Sequence, residues 1–212
     1  MKTNARFGFL IFIIALAIAL PAWTYEFPLS ADVIREAYFL GSGQKSKAAD
    51  FYAQYSHSLG EPTKDPPGSI ITIDTPYLQI AEHSCDTANY HAQDAEEDFF
   101  GKPAEFLVYL DAYYKPVSSA GAGAGKAGAD ASDSLKGLRI KLIQHKKEIA
   151  WRIVETTPFY PFHNAQTGAV RDGEHVEIAC DAELIDSSLL TIKIDMPDGQ
   201  HFATDFDLAE IK

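Results

Sequence analysis

The feature that most constrains this chain is the period-two alternation of its C-terminal third. Val176, Ile178, Cys180, Ala182 and Leu184 share one phase, while Glu177, Asp181 and Glu183 take the other. Leu190, Ile192, Ile194 and Met196 then alternate with Thr191, Lys193 and Asp195, and "PDGQ", Pro197–Gln200, turns the chain back into Phe202, Thr204, Phe206 and Leu208. Successive side chains of a strand point to opposite faces, so this pattern describes strands with one face in a core and the other in water. Wound as a helix, the same residues would scatter around the whole circumference.

The alternation recurs upstream in "SIITIDTPYLQIAEH", "AEFLVYLDAYY", "LRIKLIQH" and "EIAWRIVETT". Leu138, Ile140 and Leu142 oppose Arg139 and Lys141, and Lys146 and Lys147 fall where a hairpin would turn. Seven or eight short strands with no interleaved helix series bury their apolar faces best against a second sheet. The expected fold is therefore mainly β: an antiparallel β-sandwich, immunoglobulin-like or similar, over residues 68–212.

Residues 25–62 read instead as an N-terminal helical segment. Ser30 is placed as an N-cap, Val33, Ile34, Ala37 and Tyr38 form an apolar stripe, and Gly41 is expected to stop the helix. A second stretch carries Ala48, Phe51, Tyr52, Tyr55 and Leu59 at three- and four-residue steps, ending at Gly60 and "EPTKDPPG". One helix is inserted in the sandwich at "DTANYHAQDAEEDFFG", with Ala88, Ala92, Ala95 and Phe99 on one face and Gly101 at its end. The stretch Pro116–Ser134 has no large apolar side chain to offset its ordering entropy and is expected to be a mobile linker.

Ahead of all this, Lys2 and Arg6 precede an unbroken apolar run, Phe7–Leu20, followed by small residues at Ala22 and Thr24. That order is the one a secretory signal requires. Fourteen apolar residues reach about 21 Å as a helix, short of a bilayer core of about 30 Å, so residues 1–24 are expected to be a cleaved signal rather than an anchor. The chain is then exported, to a periplasmic or extracellular location, with no stable membrane insertion after cleavage. Removing the segment takes the formal charge from −12 to −14. A chain so acidic repels nucleic acid.

The stretch "LSADVIREAYFLG", Leu29–Gly41, resembles the start of a group of uncharacterised exported bacterial proteins whose mature chains open with a similar "IREAYFLG" helix. The resemblance implies export and brings no activity with it.

The sequence offers little catalytic chemistry. Gly123, Gly125 and Gly128 fit G-x-G-x-x-G, yet "ADASDSLKG" follows where a dinucleotide site needs a helix. A phosphate-binding loop fails too, since Ala120 replaces its first glycine and Ala127 its Ser or Thr. No G-x-S-x-G elbow occurs, and "GSG" at Gly41–Gly43 reads as a helix stop, although among seven histidines a Ser–His–Asp meeting by chance is expected. His91, Asp94 and Asp98 share a helix flank, with His83 and Cys85 just upstream. Such side chains suit a divalent cation, but they also suit a solvated acidic face, so no metal or other cofactor is implied.

Two further features have competing readings. Phe159, Tyr160 and Phe162 lie between Pro158 and the residues after Pro161, where three rings either plug the sandwich end or form a platform for a partner or a sugar ring. Cys85 and Cys180 are the only cysteines, and in an exported chain they suit a disulfide, which would stabilise by about 4–5 kcal/mol, as well as two buried thiols. The expected function is an exported, non-enzymatic β-sandwich module that binds a protein, a glycan or an envelope component through Phe159, Tyr160 and Phe162. The alternatives are an exported hydrolase or metal-dependent enzyme using His83, His91, Asp94 or Asp98, and a structural envelope subunit docking through the "VIREAYFLG" helix.

Overall fold

The structure is a computed structural model describing residues 24–43, 51–60, 68–114, 137–163 and 170–212, the last strand residues before 164 and those at 170–172 as backbone only. The expected signal segment, short of Thr24, and the expected linker, Pro116–Ser134, lie outside the described residues.

Among the described residues nine strands form: β1 (Ser56–Leu59), β2 (Ser69–Asp74), β3 (Glu105–Tyr114), β4 (Arg139–Gln144), β5 (Lys147–Ile149), β6 (Arg152–His163), β7 (Val170–Asp181), β8 (Leu189–Asp195) and β9 (His201–Asp207). They pair antiparallel into a five-stranded sheet, β1-β2-β3-β7-β6, and a four-stranded sheet, β5-β4-β8-β9. Phe106, Val108 and Leu110 of β3, Val176 and Ile178 of β7, and Ile71 and Ile73 of β2 bury against Ile140 and Leu142 of β4, Leu190, Ile192 and Ile194 of β8, and Phe206 of β9. The alternation thus selects one face of each sheet, and the expected β-sandwich is the fold. Each such side chain contributes about 1.5–3 kcal/mol through burial.

One margin of the sandwich is closed. His57 of β1 stacks on Phe206 of β9, ring centroids 4.3 Å apart and 6° from parallel, and its Nδ1 lies 2.7 Å from Thr204 Oγ1. At the opposite margin β5 and β6 are edge strands of different sheets, joined by Ala150 and Trp151. The β4–β5 turn falls at His145 and Lys146, with φ of 51° and 65°, one residue earlier than the lysine pair suggests. Positive φ at both central residues is what a tight hairpin needs.

Three helices stand at the end of the sandwich where β2 finishes: α1 (Ala31–Ser42), α2 (Pro76–Asp86) and α3 (Ala92–Phe99). Leu29, Ile34, Ala37, Tyr77, Ile80 and Ala95 make a second apolar cluster between them, while Leu78 of α2 points into the sandwich core. Ser30 caps α1, accepting from the Val33 amide, as its position predicts. Gly41 does not stop the helix. It is buried inside α1, where an added Cβ would lie 1.8 Å from the Ala81 carbonyl oxygen and 2.2 Å from Ser84 Oγ, so the absent side chain lets α1 and α2 touch.

Two other stretches fold differently from their sequence reading. "PYLQIAEHSCD" is helix α2 rather than the continuation of a strand: the Thr75 hydroxyl accepts from the Leu78 amide at 3.2 Å, and Pro76 supplies the first-turn φ. Tyr55 and Leu59, read as the end of a helical stripe, are a core tyrosine and the last residue of β1. The chain enters the core at Tyr25, just past the expected cleavage position, its amide donating to the Leu208 carbonyl at 2.8 Å and its hydroxyl to that of Ala182 at 3.1 Å.

Candidate functional site

The open margin carries a groove of about 430 Å³, a volume within the range of small-ligand sites. Trp151, at the crossing from β5 to β6, forms a wall: it is half-buried, packed against the core on one side and facing the groove on the other. Leu184 borders the groove and is 53% exposed, although its sequence phase assigns it to the core. The reason is local. β7 ends at Asp181, whose carboxylate accepts from the Glu183 amide at 2.9 Å, and the 3-10 turn Ala182–Leu184 breaks the alternation. Arg152 donates to Glu105 Oε1 at 2.6 Å across the groove's rim, giving it a charged pair beside the indole.

The outward face of the same sheet carries the second notable constellation. Asp74, the last residue of β2, is 3% exposed. Tyr109 Oη donates to its Oδ2 at a long 3.4 Å, and among the described residues Oδ1 has no hydrogen-bond partner. Burial, followed by the nearby carboxylates of Glu82 and Glu177, pushes the Asp74 carboxyl up to about 8. Glu82 is raised as well, by burial and then by Asp86. Beside them Asp111 Oδ1 lies 2.7 Å from His175 Nδ1, and the His175 ring stacks at 6.0 Å on Tyr109.

Trp151 and Asp74 are the site residues that sequence reasoning misses. A tryptophan at the junction of two strand patterns, and an acid closing an apolar run immediately before the helix-start pair Thr75-Pro76, are the signals that point to them.

The sequence-predicted residues fall as follows. Phe159, Tyr160 and Phe162 lie in β6, the edge strand that starts at the groove, with a register shift between Phe159 and Phe162; their side chains lie outside the description. The disulfide is not formed: both cysteines are free. Cys85 sits half-buried in the last turn of α2, because this stretch is helix and not the end of a core strand in phase with β7. Cys180 faces the sandwich core, its thiol directed at the Phe106 carbonyl, and burial pushes it up to about 12, so it stays protonated and unreactive.

His83 packs edge-on against Tyr90 at 4.5 Å, and Asp98 accepts from the Tyr90 hydroxyl at 3.1 Å. Asp94 accepts from the His91 amide at the start of α3. Each thus has a local partner, and among the described residues no group of three or more His, Cys, Asp or Glu side chains is placed to hold a metal ion.

A Ser–His–Asp meeting does occur. His145 Nε2 is 2.5 Å from Asp186 Oδ2 and 3.1 Å from Ser188 Oγ. Both neighbours share one ring nitrogen, whereas hydroxyl activation needs the serine on one nitrogen and the orienting acid on the other. Asp186 is held below the usual carboxylate range, chiefly by Ser188 and then by His145, which marks a turn-stabilising cluster. No helix among the described residues is long and apolar enough to cross a membrane. Set against known proteins, the chain matches no family model, no curated protein and no solved structure.

Proposed function

We infer that this protein is an exported β-sandwich binding module whose ligand is a glycan, seated in the groove beside Trp151. The observation that carries the reading is the groove's lining: an indole wall, the exposed Leu184 and the Arg152–Glu105 pair gathered around about 430 Å³. An aromatic face takes the apolar C–H face of a sugar ring, and a guanidinium–carboxylate pair supplies donors and acceptors for its hydroxyls. Phe159, Tyr160 and Phe162 lie further along the same strand, β6.

A peptide added as a further strand along β6 is disfavoured. That edge carries Pro158 and Pro161, which lack amide hydrogens, and two register irregularities. Screening the chain from Tyr25 onward on a glycan array tests the reading. Retained signals on specific glycans, lost in Arg152→Ala and Leu184→Ser variants that unfold like the parent, support it. An array on which parent and variants are equally blank overturns it.

A further inference from the structure

We propose that Asp74 is a proton-operated latch between the sandwich and its helical end: with its carboxyl protonated, α2 stays closed on the end of β2, and on ionisation α2 and the helices packed against it loosen. The inference is independent of what the groove binds.

The geometry gives Asp74 this position. Its backbone is the last of β2, and Thr75, the next residue, caps α2, so Asp74 occupies the joint between sheet and helix. Gln79 of α2 clamps the joint by donating to the Asp74 carbonyl at 3.2 Å and to the Glu105 carbonyl at 2.8 Å. The titratable groups facing the carboxyl are Glu82 from α2, Tyr109 from β3, Glu177 from β7 and Tyr55 from the segment before β1. Among the described residues only Tyr109 donates to it, and Oδ1 has no partner. A neutral acid tolerates this surrounding, but a buried anion facing Glu82 and Glu177 is repelled by both and solvated by one long hydrogen bond.

Relief comes most readily by movement of α2. Glu82 is carried on α2, which is held to the sheet by Leu78 in the core and by the Gln79 side chain, whereas Glu177 is fixed in β7, an interior strand of the sheet. The helical layer would move with it, since Gly41 of α1 lies directly against Ala81 and Ser84.

Amide hydrogen exchange of the intact chain, corrected for intrinsic exchange, tests the latch. Protection of the Ile80–Ser84 amides is expected to fall at least tenfold between pH 6 and pH 9, with a midpoint near 8, while β8 amides stay protected. Asp74→Asn should flatten the profile. Glu82→Gln removes a repelling charge and should move the midpoint down; Tyr109→Phe removes the one donor and should move it up. A flat profile in the parent, an unchanged fall in Asp74→Asn, or midpoints that ignore both Glu82→Gln and Tyr109→Phe would overturn the proposal. The last pair decides the matter even if Asp74→Asn fails to fold.

Discussion

Tyr109 and Asp74 are joined across adjacent strands by one hydrogen bond of 3.4 Å, and the remaining oxygen of Asp74 is buried without a partner among the described residues. The pH dependence follows in sign. The folded carboxyl titrates near 8 and the unfolded one near 3.8, so the folded state holds a proton that the unfolded state has released. This contribution to stability is fully present below about pH 4 and is lost as pH rises toward 8. At about 1.4 kcal/mol per unit of pKa, discounted for relaxation, the loss from pH 5 to pH 8 is on the order of 3 kcal/mol, or about 10 °C in Tm. Thermal unfolding followed by circular dichroism should show that decline in the parent and a much smaller one in Asp74→Asn.

Gly41→Ala should destabilise, against helix propensity. In an open helix the change gains up to about 1 kcal/mol. Here the new methyl would collide with the Ala81 carbonyl and Ser84 Oγ, so α1 must back away from α2 and loosen the cluster around Ile34, Ala37 and Ile80. A net loss of about 2 kcal/mol in urea unfolding is expected. Unchanged or increased stability would mean that the two helices are not in contact at this point.

Thiol counting addresses the cysteines. Denatured, unreduced protein should give two free thiols, and native protein should show slow, partial labelling at Cys85 and none at Cys180, which is 5% exposed in the core. A count of zero in denatured protein would restore the disulfide.

Leu142→Ala should cost about 2–5 kcal/mol, because Leu142 is fully buried where the two sheets face each other and its loss leaves a cavity. Ile143→Ala, one residue on and pointing to the other face, should cost well under half as much. Equal costs, measured by chemical unfolding, would contradict the register of β4 against β8.

The sheets were legible because period-two alternation is a local signal: Val176 to Cys180 and Leu190 to Ile194 each declare a buried face without reference to their partners. Where a residue's place depends on a chain reversal, the signal fails. Leu184 keeps the phase of β7 on paper, but the Asp181 cap turns the backbone and puts it at the groove. Ile80 and Ala81 follow a strand-like run, and only the Thr75-Pro76 start reveals a helix, which also displaces Cys85 from any partnership with Cys180. Gly41 looked like a stop because glycine most often ends helices, and its actual use depends on a distant segment, Ala81 to Ser84. The groove is assembled from the approaches to β3 and β6 and the end of β7, a convergence that no single stretch records.

The sequence contains two tryptophans, Trp23 and Trp151, so a chain expressed from Tyr25 reports on the groove through one indole alone. The most direct measurement is the emission of that protein titrated with the glycans that bind on an array. A saturable change in Trp151 emission, abolished in Arg152→Ala with folding intact, is the expected result. Binding that saturates by calorimetry while Trp151 emission stays constant would place the ligand elsewhere and contradict the groove as the binding site.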